Sequence, residues 1–364
     1  MSTQPPERAV SGLGASTVAS QLPRSIVVLI GVVGVVAIGI GVKGAAGIVA
    51  PSMLALVLTI AVLPVNTAAR RHGWPGWLAT LTALVASYAI LLVLLVGTVV
   101  CIVKLVNLLP TYASNFNDIS DQVEKWLKSL GLDTDSTSSA LKKINPSQIV
   151  DVLTGALSTI LGAAGGVFLL VTVMFFFVTA VPGFGPRIAA LTRTKPELAS
   201  SLKLFVNRTQ RYLIMTAVFG AIVAVLDTGA LYLLGVPLAV AWGFFSFITN
   251  FIPNIGFVIG VIPPALIALL DSGWQLMLAV IIVYCVLNVT IQTFIQPRFV
   301  GATVGLSAEM TFLSLIVWTL LLGALGALLA VPMTLLMRAF FIDADARAAW
   351  VAPLIDTEVA EEPP

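Results

Sequence analysis

Charged residues are scarce in this sequence. Only 10% of its 364 residues are Asp, Glu, Lys or Arg, and 59% are hydrophobic, against about 25% and about 45–50% in ordinary soluble domains. The few charges cluster between long apolar runs. The composition therefore excludes an ordinary water-soluble domain. It predicts an all-α, polytopic membrane protein whose main surroundings are a lipid bilayer.

Cysteine and histidine are nearly absent, which leaves little for metal or covalent chemistry. Cys101 and Cys285 both lie in predicted spans, where cysteine behaves as a small apolar residue, and the single His72 lies in a basic loop. No Walker sequence, G-x-S-x-G or C-x-x-C occurs. A G-x-G-x-x-G match at residues 39–44 ends a span and lacks the strand-turn-helix context of a dinucleotide site. We predict no catalytic residue, no metal and no cofactor, and so no enzyme.

Polyanionic partners are excluded as well. The net charge is only +2, and no basic run with interleaved aromatic residues appears, so nucleic acid is not a predicted partner. Without a nucleotide-binding signature, the chain is not expected to hydrolyse ATP.

Apolar runs predict the membrane spans. The run at residues 25–65 would be ~62 Å long as one helix, twice the ~30 Å hydrocarbon core, so a hairpin that turns at Lys43 and Gly44 is predicted. The spans of ordinary length are predicted at residues 25–42, 45–65, 77–103, 151–181, 212–234 and 274–296.

Two further runs are too long for one straight span and too short for two. Residues 237–270 and 308–341 would each be ~51 Å long as helix, and both contain proline or glycine breaks. Each is either one kinked span or a re-entrant hairpin. The predicted architecture therefore has about eight spans, or ten apolar legs if both runs are hairpins.

Polar segments divide the chain further. We predict a disordered tail at 1–24, a transmembrane domain at 25–341 with a polar, partly amphipathic insert at 104–150 and a basic connector at 182–211, and a second tail at 342–364. Basic residues concentrate on one side of the predicted spans, which places both termini in the cytoplasm. Those residues are Arg8, Arg24, Arg70, Arg71, Arg187, Arg193, Lys195, Lys203, Arg208 and Arg211.

Broken apolar segments are the strongest indication of function. The sequences NFIPNIG at 250–256 and QPRFVG at 296–301 place amides, prolines and glycines inside lipid-compatible runs. Irregular backbone at membrane depth is tolerated only inside protein or beside a water-filled cavity. A substrate pathway is one interpretation, and a simple Pro253 kink capped by two asparagines is the other. The pathway residues predicted from these breaks are Asn250, Pro253, Asn254, Gly256, Gln296 and Pro297.

Amides also recur along the seventh span. Asn288, Gln292 and Gln296 are spaced at i, i+4 and i+8, so they share one helix face. This stripe either lines the pathway or forms hydrogen bonds between helices.

Asp227 is the only carboxylate well inside a predicted span. A buried acid at that depth is costly unless it is protonated, paired or hydrated, so Asp227 is a candidate for proton or cation coupling. The other interpretation, favoured by the nearby Gly235 turn, is an interfacial or subunit-contact residue close to Tyr232.

The second half of the chain resembles the autoinducer-2 exporter family, also called PerM. The resemblance rests on NFIPNIG at 250–256, IGVIPP at 259–264, QPRFVG at 296–301, VGLS at 304–307, Trp318 and GALGALLAVP at 323–332. It implies a multi-pass bacterial inner-membrane protein of about eight spans that often forms a homo-oligomer. Gln296 departs from the pattern, because many members have an acidic residue there.

Three functions remain open at this point. The first is gradient-driven export of a small polar metabolite or signalling molecule resembling autoinducer-2. The second, also implied by the family resemblance, is Na⁺(Li⁺)/H⁺ antiport, for which Asp227 would be the coupling acid. The third is a membrane scaffold that transports nothing.

Overall fold

The computed structural model describes residues 23–112, 164–253, 255–296 and 305–351, together with 151, 154, 155, 158, 162 and 355, and these parts contain helix but no strand. The predictions for residues 1–22, for most of the 104–150 insert, for Asn254 and for Pro297 lie outside these residues. The helices are α1 Arg24–Gly44, α2 Ala46–Arg71, α3 Gly76–Leu108, α4 Ala164–Thr194, α5 Pro196–Leu233, α6 Ala239–Thr249, α7 Gly256–Ser272, α8 Trp274–Val289, α9 Ala308–Leu322 and α10 Ala324–Phe341.

Six helices among the described residues are long and apolar enough to cross a bilayer. They are α2, α3, α4, α5, α10 and α8 with its π-helical extension Thr290–Ile295. Shorter apolar helices are α6, α7, α9 and the Leu29–Gly44 part of α1. The all-α polytopic fold predicted from composition is therefore confirmed.

The first apolar run is broken where the sequence predicts, but it does not form a packed hairpin. Ala45 alone separates α1 from α2, and its backbone angles of φ −96° and ψ 12° only bend the chain. α1 contacts α9 more than it contacts α2. The prediction of a tight reversal at Lys43 and Gly44 is thus wrong, because length alone cannot distinguish a bend from a reversal.

The run at 308–341 is a helical hairpin. Gly323 adopts φ 68° and ψ −146°, a conformation accessible to glycine, and α10 folds back along α9. Ser314 Oγ donates to the Ala330 carbonyl at 2.8 Å, and Trp318 Nε1 donates to Thr334 Oγ1 at 3.0 Å. These hydrogen bonds across the two helices resolve the choice between kink and hairpin.

The run at 237–270 is also folded back on itself. α6 ends at Thr249, α7 begins at Gly256, and a Cβ added to Gly260 would lie 3.0 Å from Thr249 Oγ1. At the tip of this hairpin, Ile252 and Ile255 pack against the apolar cluster of the α9–α10 hairpin. The tip of the α6–α7 hairpin is therefore packed against a cluster formed by α2, α9 and α10.

The predicted basic connector is helical. α4 continues to Thr194 and α5 begins at Pro196, so that Lys195 alone separates them. Proline at the first helical position and Glu197 in the first turn both favour a helix start. The span predicted at 212–234 is thus the second part of a 38-residue helix.

The other end of the bundle is joined by a polar contact. Tyr112, in the 3₁₀ turn after α3, donates its hydroxyl to Asp271 Oδ1 at the end of α7, at 2.6 Å. Burial and the neighbouring Asp271 raise the pKa of Tyr112 to about 12, so the phenol remains protonated at neutral pH.

We expect Gly243→Ala to destabilise the fold, because α5 and α6 cross closely at this position. A Cβ on Gly243 would overlap Thr228 Oγ1 and lie 2.8 Å from the Ala224 carbonyl oxygen. Overpacking of this kind costs about 1–3 kcal/mol. Thermal unfolding in detergent should show a lower midpoint. The matched control is Gly229→Ala, whose Cβ meets nothing within 4 Å, and an equal effect of the two changes would contradict the prediction.

Candidate functional site

Asp227 lies in the interior of the helix bundle. Its side chain on α5 is 0% exposed, and Ser246 Oγ on α6 donates to its Oδ2 at 2.6 Å. The second carboxylate oxygen, Oδ1, accepts no hydrogen bond from the described residues. Tyr232, in contrast, is 78% exposed. The Asp227 side chain is fully buried within a single chain, so the interpretation of it as a subunit-contact residue is wrong.

An amide network connects α8 to the break after α6. Gln292 Nε2 donates to Asn250 Oδ1 at 3.0 Å and to Asn288 Oδ1 at 3.2 Å. Asn288 Nδ2 donates to the Tyr284 carbonyl at 3.0 Å, and the Asn288 side chain lies beside the Asp227 carboxylate. One hydrogen bond between helices that the amide stripe allowed is thus present, from Gln292 to Asn250, and the stripe reaches a buried acid.

Two buried polar residues close to Asp227 and the amide network were not among the predicted site residues. Ser246 is 3% exposed, and Tyr284 is 1% exposed with a hydroxyl that has no hydrogen-bond partner in the described chain. Helical spacing in the sequence places both residues on the same faces as the predicted amides. Ser246 precedes Asn250 by four residues, and Tyr284 extends the stripe of Asn288 and Gln292 by one helical turn.

The backbone break between α6 and α7 is stabilised by hydrogen bonds from neighbouring helices. Asn250 occupies the C-terminal cap of α6, and its side-chain oxygen accepts from Gln292. Tyr212 on α5 donates to the Phe251 carbonyl at 3.1 Å, so a backbone oxygen at the break is satisfied by protein. Pro253 is half-buried and Gly256 is buried. Residues on the N-terminal side of Pro253 thus form hydrogen bonds to α5 and to the α8 segment, which a simple proline kink does not require.

The backbone of α8 changes conformation next to the amide network. Residues Thr290–Ile295 form a π-helical segment that contains Gln292. Such segments are rare and occur frequently at functional sites, where they redirect a side chain. Gln296 follows this segment and is half-buried.

The polar cluster, defined as Asp227, Ser246, Asn250, Tyr284, Asn288 and Gln292, combines one acid with neutral groups that can form hydrogen bonds. It offers one carboxylate, three amides and two hydroxyl groups, and its core is closed to water in this conformation. Within the described residues, no three His, Cys, Asp or Glu side chains come together to bind a metal ion. The chemistry of the cluster is therefore hydrogen bonding and a single titratable charge.

Comparison with known proteins places the chain among transport proteins. The model of a family described as AI-2E family transporter matches residues 26–344. The chain is 29% identical over 313 residues to the AI-2 transport protein TqsA of Escherichia coli K12, covering 86% of this chain and 90% of TqsA. It is also 29% identical to a putative transport protein of Haemophilus influenzae, covering 91% and 96%, and 28% identical to the putative transport protein YhhT of E. coli K12, covering 84% and 88%.

Proposed function

Since the chain belongs to the AI-2E transporter family, and is therefore a multi-pass membrane transport protein and not an enzyme, we propose that it exports a small polar metabolite or signalling molecule. The energy comes from a gradient of solute or ions rather than from ATP hydrolysis. The observation that carries the proposal is the buried polar cluster where α5, α6 and α8 meet. The family match also favours transport over the alternative of a membrane scaffold.

The cargo class follows from the chemistry of the cluster. Amide and hydroxyl groups donate and accept hydrogen bonds without a net charge, which suits a neutral molecule with several hydroxyl groups. The name of TqsA states transport of AI-2, and a hydroxylated signal of that kind is the cargo that we propose for this chain. Asn250, Asn288 and Gln292 would bind it, with Pro253, Asn254, Gly256, Gln296 and Pro297 lining the route.

Gln292→Leu tests the export proposal. Leucine fills a similar volume but donates no hydrogen bond, so the side-chain oxygens of Asn250 and Asn288 both lose the donor that Gln292 provides. We expect solute efflux from proteoliposomes to fall about tenfold or more, because a site built to form hydrogen bonds rejects poorly matched partners strongly. The assay would compare autoinducer-2 with small neutral sugars.

The matched control is Gln275→Leu, at the exposed start of α8. It should leave efflux unchanged. Equal efflux by Gln292→Leu and wild type, with both proteins correctly folded, would remove the cluster from the transport route.

A cation/proton antiport function is the second candidate. One observation favours it: Asp227 is fully buried, and Oδ1 has no hydrogen-bond partner among the described residues. A carboxylate of this kind can exchange a proton for a small cation.

The proposed orientation places both termini in the cytoplasm of a bacterium. The support is the basic charge of the segment that runs through the end of α4 and the start of α5. We also propose a homo-oligomer, as the family resemblance implies. Chemical cross-linking in native membranes would give the subunit number, and terminal tags accessible only in inverted vesicles would support the orientation.

A further inference from the structure

An ion-pair cluster joins the end of α10 to the loop that precedes α9. Arg338 is only 5% exposed; its Nη1 donates to the Gly305 carbonyl, and its Nε donates to Asp343 Oδ1 at 3.2 Å. The other oxygen of Asp343 lies 3.5 Å from Arg208 Nη1 on α5. One carboxylate therefore links α5, α10 and, through Arg338, the start of α9.

The loop before α9 is held from more than one side. Gly305 has φ 65°, and a Cβ there would lie 3.2 Å from Arg208 Nη2, so both arginines contact this residue. The Ser307 N–H donates to the Ile355 carbonyl at 2.8 Å, and Ile355 is buried in an apolar cluster with Leu306. The start of α9 is thus fixed by α5, by α10 and by the C-terminal segment.

This loop follows, in the sequence, the helix that carries part of the polar cluster. α8 carries Tyr284, Asn288 and Gln292, and its polar stripe ends at Gln296, nine residues before Gly305. α5 carries both Arg208 and Asp227, 19 residues or ~28 Å apart along the helix. Movement of the α9–α10 hairpin away from α5, which would expose the cluster on this face, must therefore break the contact between Asp343 and Arg208.

We propose that Arg208, Arg338 and Asp343 form a clamp that keeps the polar cluster closed to water on the face of the membrane where α10 ends. The proposal rests on the cluster being the transport site. Loss of Asp343 removes its ion pairs with Arg338 and Arg208, which raises the free energy of the closed conformation. The conformation open to this face then becomes more populated.

The test measures access to the cluster and needs no transported solute. Cys101→Ser and Cys285→Ala provide a background without thiols, and Ser246→Cys places one reactive thiol beside Asp227. A membrane-impermeant charged thiol reagent is applied to vesicles of either orientation. With Asp343→Asn added, we expect labelling from the α10 face to accelerate about tenfold, within the usual range for coupling between two conformational states.

Two comparisons make the result specific. Asp345→Asn changes an exposed aspartate two residues away and should leave labelling unchanged. High salt should accelerate labelling in the protein with Asp343, because Asp343 and Arg208 are partly exposed to solvent ions, but not in Asp343→Asn.

The clamp is overturned if Asp343→Asn labels no faster than Asp345→Asn, or if labelling accelerates equally from both faces, which indicates general loosening. Failure of the export proposal is a separate outcome. In that case faster labelling from one face persists, while no solute moves in the proteoliposome assay.

Discussion

Asp227→Asn is expected to abolish any proton-coupled sodium or lithium flux through this protein. Asparagine has nearly the same shape as aspartate, and its side-chain oxygen can still accept the hydrogen bond from Ser246. It cannot take up or release a proton. Because no other carboxylate is buried in the described helices, a coupled exchange would lose its titratable group and fall to the background of empty vesicles.

Everted vesicles with a pH-sensitive dye provide the measurement, with sodium or lithium added to dissipate the proton gradient. Asp271→Asn is the matched control, because Asp271 is an exposed aspartate at the end of α7. If flux persists in Asp227→Asn, the antiport function loses its main support.

The same variant separates the two candidate functions. A neutral solute that only forms hydrogen bonds in the cluster does not require the charge of Asp227. Export would then continue in Asp227→Asn, at a reduced rate, while proton-coupled flux disappears. Loss of both activities in a correctly folded protein would show that solute movement is itself coupled to a proton at Asp227.

Much of the fold was predictable because span length and hydrophobicity accumulate over many residues. The choice between kink and hairpin was not predictable in the two long runs, because proline and glycine allow both. That choice depends on contacts between distant side chains, such as Ser314 with the Ala330 carbonyl. The bend at Ala45 shows the converse, since the longer run at residues 25–65 was predicted to reverse there and does not.

The candidate site was predictable in part for a similar reason. Helical spacing identified Asn288 and Gln292 as neighbours, and their hydrogen bond confirms it. Helical spacing could not predict the burial of Asp227. Asp227 lies about two turns from the end of α5, so its depth along the helix axis is small. However, α6 folds back after Leu238, which has φ 60°, and packs over the side of α5 that carries Asp227. Distance along a helix measures depth in the membrane, not burial within the bundle.

Gly256→Ala is expected to abolish transport because the hairpin tip has no room for a side chain. A Cβ on Gly256 would overlap the Thr249 carbonyl oxygen and lie 2.8 Å from the Thr249 carbonyl carbon and 3.3 Å from Asn250 Cα. These are backbone atoms, so no rotamer change relieves the overlap. Alanine gains about 1 kcal/mol in helix propensity, which is less than the cost of about 3 kcal/mol expected when the backbone must move.

The tip of the α6–α7 hairpin would therefore open, and Asn250 would move away from Gln292. Solute efflux at background level and a lower unfolding midpoint in detergent are the expected results. Gly47→Ala serves as control, because its Cβ meets no atom within 4 Å. Stability could fall for reasons unrelated to the site, so the decisive comparison is with Gly243→Ala, which overpacks α5 against α6 away from the tip. If Gly256→Ala retains efflux while Gly243→Ala loses it, the hairpin tip does not form part of the solute route.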